Sequence, residues 1–119
     1  MRTSMMVLAA GLWPAFAFAQ YADGGYLTGN DLLTKCTEEH GRSFCMGYVA
    51  GVVDTLQTAA NAKHWQTDVC LPEIGFHVGQ SADVVTKYLR AYPEYRHRVA
   101  ANIAWRALLV AFPCKEQAR

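Results

Sequence analysis

Four cysteines, Cys36, Cys45, Cys70 and Cys114, in a chain of 119 residues set the tightest limit on what this sequence can fold into. An even number in a short exported chain reads as two disulfide bonds, because the compartment is oxidising and a core of this size is marginal by itself. Each bridge is worth on the order of 3–4 kcal/mol by restricting the unfolded chain, against a net stability of roughly 5–15 kcal/mol for a typical domain. That reading depends on export, and the N-terminus supplies the reason to expect it. Arg2 precedes an apolar run from Met5 to Phe18, broken only by Gly11 and Pro14, and Ala17-Phe18-Ala19 gives the small-x-small pattern read by signal peptidase. The run falls short of the roughly 20 residues that span a bilayer comfortably. Residues 1–19 are therefore expected to be a signal peptide, and residues 20–119 a single mature domain.

Charge narrows the partners. Residues 1–19 contain Arg2 and no acidic residue, so the remaining 100 residues carry ten basic and ten acidic side chains. A balanced surface lacks the surplus of Lys and Arg that a phosphate backbone or an anionic membrane recruits. No second apolar run approaches membrane length. Neither nucleic acid nor a membrane is expected as a partner after signal cleavage.

The apolar spacing is helical throughout, with no sustained alternation of period two. Thr28 or Asn30 caps a short helix through Cys36, with Asp31 near its positive end. A second helix runs from about Ser43, a candidate cap, to Ala62, on a stripe of Cys45, Val49, Val52, Leu56 and Ala59 or Ala60. The small residues Gly47, Ala50 and Gly51 within it predict another helix passing close by. Pro72 and Gly75 mark a long connection over residues 63–77. Gly79 or Ser81 opens a third helix with Val84, Val85, Tyr88, Leu89 and Tyr92 on one side. Pro93 ends it and opens a fourth, which carries Val99, Ile103, Ala107 and Val110 to about Phe112. The expected fold is all-α, a small bundle of about four helices stapled by disulfides. Four cysteines allow three pairings. An antiparallel arrangement of helices three and four favours Cys70–Cys114, and the tight turn between helices one and two favours Cys36–Cys45.

A search for chemistry finds little. The chain has no Gly-x-Ser-x-Gly elbow, phosphate-binding loop, His-Glu-x-x-His or haem motif. Cys36, His40 and Cys45 match no zinc spacing, and oxidised cysteines neither ligate nor attack. His64 and His77 flank the long connection, and His97 stands among Tyr95, Arg96 and Arg98. Asp54 sits on an apolar helix, either buried against a partner such as Arg106 or on an exposed face. Asp83 suits the positive end of helix three. No catalytic, cofactor or metal site is expected. The aromatic residues Trp65, Phe76, Tyr88, Tyr92, Tyr95 and Trp105, with His77, are instead the material of a binding surface. Of these, Trp65, Phe76, His77, Tyr92 and Tyr95 are the candidate partner-binding residues, several of them on the long tethered connection.

The order of motifs resembles one family. Thr28-Gly29-Asn30-Asp31-Leu32-Leu33 ahead of Cys36 is similar to the opening of the Rap/Tai family of immunity proteins. So are the run from Phe44 to Asp54, Cys70-Leu71-Pro72, Gln80 with Asp83 to Leu89, Pro93, and Ala107-Leu108 through Phe112-Pro113-Cys114. The segment Gly75-Phe76-His77-Val78, with Ser81, departs from the family pattern. The resemblance implies a periplasmic all-α protein, often a homodimer, that neutralises a peptidoglycan amidase of a type VI secretion system by covering its active-site cleft. It implies binding without catalysis and without a cofactor. The alternative is a periplasmic acid-stress chaperone, a small helical holdase whose ten acids and four histidines loosen it at low pH.

Overall fold

The computed structural model describes residues 25–62 and 68–115. The expected signal peptide over 1–19, His64 and Trp65 lie outside the described residues. Within them the chain folds as α1 (Gly29–Thr37), α2 (Arg42–Asn61), α3 (Val78–Ala91) and α4 (Ala100–Ala111), with a single 3-10 turn at Pro93–Tyr95. Two isolated antiparallel bridges, Thr28 with Val99 and Val69 with Pro113, are the only β pairing among the described residues. The all-α expectation holds. Both favoured disulfides are present, Cys36–Cys45 with Cα atoms 4.9 Å apart and Cys70–Cys114 with Cα atoms 4.8 Å apart.

Local chemistry explains where each helix begins. Thr28 caps α1 in a reciprocal box: its hydroxyl accepts from the Asp31 N–H, and the Asp31 carboxylate accepts from the Thr28 N–H at 2.9 Å. The Thr28 hydroxyl also donates to the Asp31 carboxylate at 2.7 Å, and this bond first, with the Thr28 N–H second, holds the Asp31 carboxyl below its ordinary value of 3.8. At α2 the cap is Gly41, and Ser43 lies exposed inside the first turn. The Cys36–Cys45 bridge pinches this corner so tightly that a Cβ on Gly41 would lie 2.2 Å from the Lys35 carbonyl oxygen. α3 begins at Val78, ahead of both expected openers, because the His77 carbonyl accepts from the Gln80 and Ser81 N–H groups at 2.9 and 3.2 Å.

The fourth helix departs most from expectation, starting at Ala100 and not at Pro93. The free N–H groups at the start of α1 take the carbonyls of this turn: Gly29 donates to Arg98 and Asn30 to Arg96, both at 2.9 Å. The Ala100 N–H in turn donates to the Leu27 carbonyl at 2.8 Å. The carbonyls of Arg96 and Arg98 are thus spent on α1 and cannot also close helical turns. The approach is close: a Cβ on Gly29 would meet the Ile103 side chain at 2.5 Å and the Arg96 backbone at 3.0 Å.

Leu32, Cys45, Val49, Val85, Leu89 and Leu108 are buried side by side between the four helices. Burial of each aliphatic side chain contributes about 1.5–3 kcal/mol. Most of the expected stripes face this core. Val110, however, is 63% exposed and Tyr92 40% exposed, while on α4 Ala104 and Leu108 join the core. The buried face of α4 runs through Ala100, Ile103, Ala104, Ala107 and Leu108.

Candidate protein-binding face

Two hollows meet along α4. The first is an open apolar groove of about 560 Å³ between α2 and α4, lined by Gly47, Gly51, Val52 and Thr55 on one side and by Ala101 and Trp105 on the other. The small residues of α2 were expected to admit a neighbouring helix. Instead a Cβ at Gly47 or at Gly51 meets nothing within 4 Å, and both glycines are exposed. The buried side of α2 is the Cys45–Val49–Leu56 face, so its glycines fall on the opposite side, where they floor the groove. Tyr48 is half-buried at the edge; burial raises its hydroxyl pKa, and a hydrogen bond with the Ala101 backbone acts against that.

The second hollow, about 270 Å³, lies between α3 and α4 and is walled by Tyr88, Tyr95, Arg98, Asn102, Trp105 and Arg106. Three tyrosine rings form a ladder along its rim, Tyr88 to Tyr92 at 4.5 Å and Tyr92 to Tyr95 at 6.1 Å between centroids. Two guanidinium groups stack on the last ring, Arg98 at 5.2 Å and Arg106 at 5.9 Å from the Tyr95 centroid. Burial raises the Tyr88 hydroxyl pKa; the Arg106 charge opposes this, and Tyr92, Tyr95 and Glu94 add to it. Asn102 and Trp105 line both hollows and make them one continuous face. The buried Trp105 indole N–H has no hydrogen-bond partner among the described residues.

The candidate residues divide between two places. Tyr92 and Tyr95 belong to the tyrosine ladder. Phe76 lies at the other end of α3, with its ring edge-on to Phe112 at 5.1 Å, and the exposed His77 caps α3 through its backbone. Trp65 lies outside the described residues. Asp54 is exposed and has no ion-pair partner among the described residues, Arg106 included. Asp83 lies beyond the first turn of α3, where the helix dipole was expected to hold it; it pairs instead with Arg42 at 2.8 Å. Among the described residues, no group of three or more His, Cys, Asp or Glu side chains could hold a metal ion. No described helix is long and apolar enough to cross a membrane.

Arg98, Asn102 and Arg106 were missed from sequence, as was the open groove. Their spacing of four residues was the available signal, since it places the three on one side of a helix. A helix running from Pro93 would place all three on one face; in the structure Arg98 lies just ahead of α4, and the turn before Ala100 brings it to the same hollow.

A family model described as Rap1a immunity proteins matches residues 28–114. No curated protein and no solved structure matches the chain.

Proposed function

The chain belongs to the Rap1a immunity protein family, and we propose that it works in the periplasm, where it binds a peptidoglycan amidase delivered by a type VI secretion system and occludes that enzyme's active-site cleft. The observation that carries this reading is the α4 face, where an open apolar groove and a Tyr–Arg hollow meet at Trp105. Trp, Tyr and Arg dominate binding hot spots because they combine large apolar contact with directed polar groups. Occlusion needs shape and anchoring alone, so the protein performs no chemistry of its own. Residues 1–19 act as the export signal, and the two disulfides form after export. Self-association of the mature chain into a homodimer belongs to the same proposal, and sedimentation of the purified mature protein measures it.

The test is protection. Cells made to export a type VI peptidoglycan amidase should lyse, and co-export of the mature protein with its cognate amidase should restore growth. Gly51→Leu, which projects a side chain into the groove where a Cβ meets nothing, should remain folded and lose protection. Lysis unchanged by the wild-type protein overturns the reading.

A further inference from the structure

We propose that the hollow walled by Tyr88, Tyr95, Arg98 and Arg106 is a carboxylate-binding pocket that receives one acidic side chain of the partner protein. The proposal rests on the immunity reading above and names the chemistry by which the face anchors its target.

The five arginines of the described residues are used differently, and Arg90, exposed near the end of α3, has neither a carboxylate partner nor a ring beneath it among those residues. Arg42 pairs with Asp83 at 2.8 Å. Arg96 gives its guanidinium to main chain, Nε to the Leu89 carbonyl at 2.5 Å and an Nη to the Arg90 carbonyl at 3.1 Å. Arg98 and Arg106 have no carboxylate partner: among the described residues the ion pairs are Lys35–Glu38 and Arg42–Asp83. Both exposed side chains are instead laid against one ring, Tyr95. That stacking restrains two otherwise mobile cations before any ligand arrives, which lowers the ordering cost of binding. Glu94, in the adjoining turn, contacts neither guanidinium as an ion pair.

The surroundings favour a small anion. α4 begins beside Arg98 with no side-chain cap, so its positive end adds to the field of the two arginines. Asn102 contributes an amide at the junction with the groove. A volume of about 270 Å³ lies below the ~300–1,000 Å³ typical of pockets for drug-sized ligands. It suits one side chain. A planar carboxylate also matches the paired donors of guanidinium, which a point charge does not exploit. A nucleic-acid phosphate is the poorer occupant, because the 100 residues after position 19 carry equal numbers of acidic and basic groups.

Two measurements test the pocket. In the first, ¹⁵N-labelled mature protein is titrated with acetyl-Gly-Glu-Gly-amide and with the matching Gln peptide, following the Trp105 indole and arginine Nε resonances. Saturable shifts with the Glu peptide alone, lost in Arg98→Gln/Arg106→Gln, support the pocket; equal responses to both peptides overturn it. In the second, affinity for the amidase of the protection assay should fall about 30-fold in the same double variant, with Arg90→Gln as an unaffected control and far-UV circular dichroism unchanged. Full affinity of the double variant overturns the pocket while leaving the immunity reading intact. A wild-type chain that binds the Glu peptide and no amidase overturns the immunity reading and leaves the pocket standing.

Discussion

The two ends of the α3–α4 pair are closed by different chemistry. At one end Cys70 and Cys114 are joined covalently, Val69 bridges Pro113, and Phe76 packs edge-on against Phe112. At the other end no disulfide is present; the turn of residues 92–99 is held by Arg96 hydrogen bonds, by main-chain bonds to the start of α1 and by the tyrosine ladder. The covalent end uses its apolar rings internally. The other end satisfies its backbone and leaves two stacked guanidinium groups without carboxylates. A closure built from hydrogen bonds and stacked rings presents polar groups outward, whereas a disulfide with an aromatic pair presents little. The proposed partner-binding hollow lies at the end that is not crosslinked.

The largest expected effect comes from cutting the crosslinked end. Cys70→Ser with Cys114→Ser opens a loop of sequence separation 44, and Cys36→Ser with Cys45→Ser one of separation 9. The loop-entropy relation gives a loss of about 4 kcal/mol for the first and about 2.6 kcal/mol for the second. Urea unfolding of the two double variants measures the difference, and equal losses would show that the two bridges act on native strain or on residual unfolded structure.

At the opposite end, Arg96→Ala removes charged hydrogen bonds to two carbonyls and should cost about 2 kcal/mol. Arg96→Lys should recover little of it, because one ammonium on a flexible stem does not reproduce the fork. If Arg96→Ala is neutral, the tyrosine ladder alone holds this end.

Removing the α1 cap acts on the same end. Thr28→Ala should cost about 1 kcal/mol at neutral pH. Because the folded Asp31 carboxyl sits below 3.8, its share of that stability is present above this value and is lost as pH falls through the lower folded one. The gap between wild type and variant should therefore narrow in acid, and an NMR titration of Asp31 in Thr28→Ala should return toward 3.8.

The smallest change runs in the other direction. Gly47→Ala and Gly51→Ala meet open space, so each should stabilise α2 by up to about 1 kcal/mol through helix propensity. Thermal unfolding measures it. Stabilisation accompanied by weaker amidase binding would show that these glycines serve the groove at the expense of the helix.

Much of this was legible in the residues. Helical spacing named the four helices, and the placement of Cys70 before α3 and Cys114 after α4 favoured the pairing that is found. Thr28 was one of two candidate caps for α1, and the reciprocal box with Asp31 came from the structure. The start of α4 was not legible, because the carbonyls of Arg96 and Arg98 are claimed by α1, some 65 residues earlier in the chain. Asp83 carried no mark of its partner Arg42 for the same reason. The small residues of α2 suggest the seat of a crossing helix, and an open groove lies there instead, since a glycine stripe looks the same in either case.

What the residues alone determined is the class of object: helices from periodicity, two crosslinks from an even cysteine count, and family membership from the order of short motifs. Each of these depends on neighbours along the chain or on composition, which sequence records directly. Which aromatic rings gather, which arginines go without a carboxylate and which glycines face solvent depend on elements brought together from distant positions. Only the packing of α2, α3 and α4 decided those, because a contact across the core is fixed by how several helices share one buried surface.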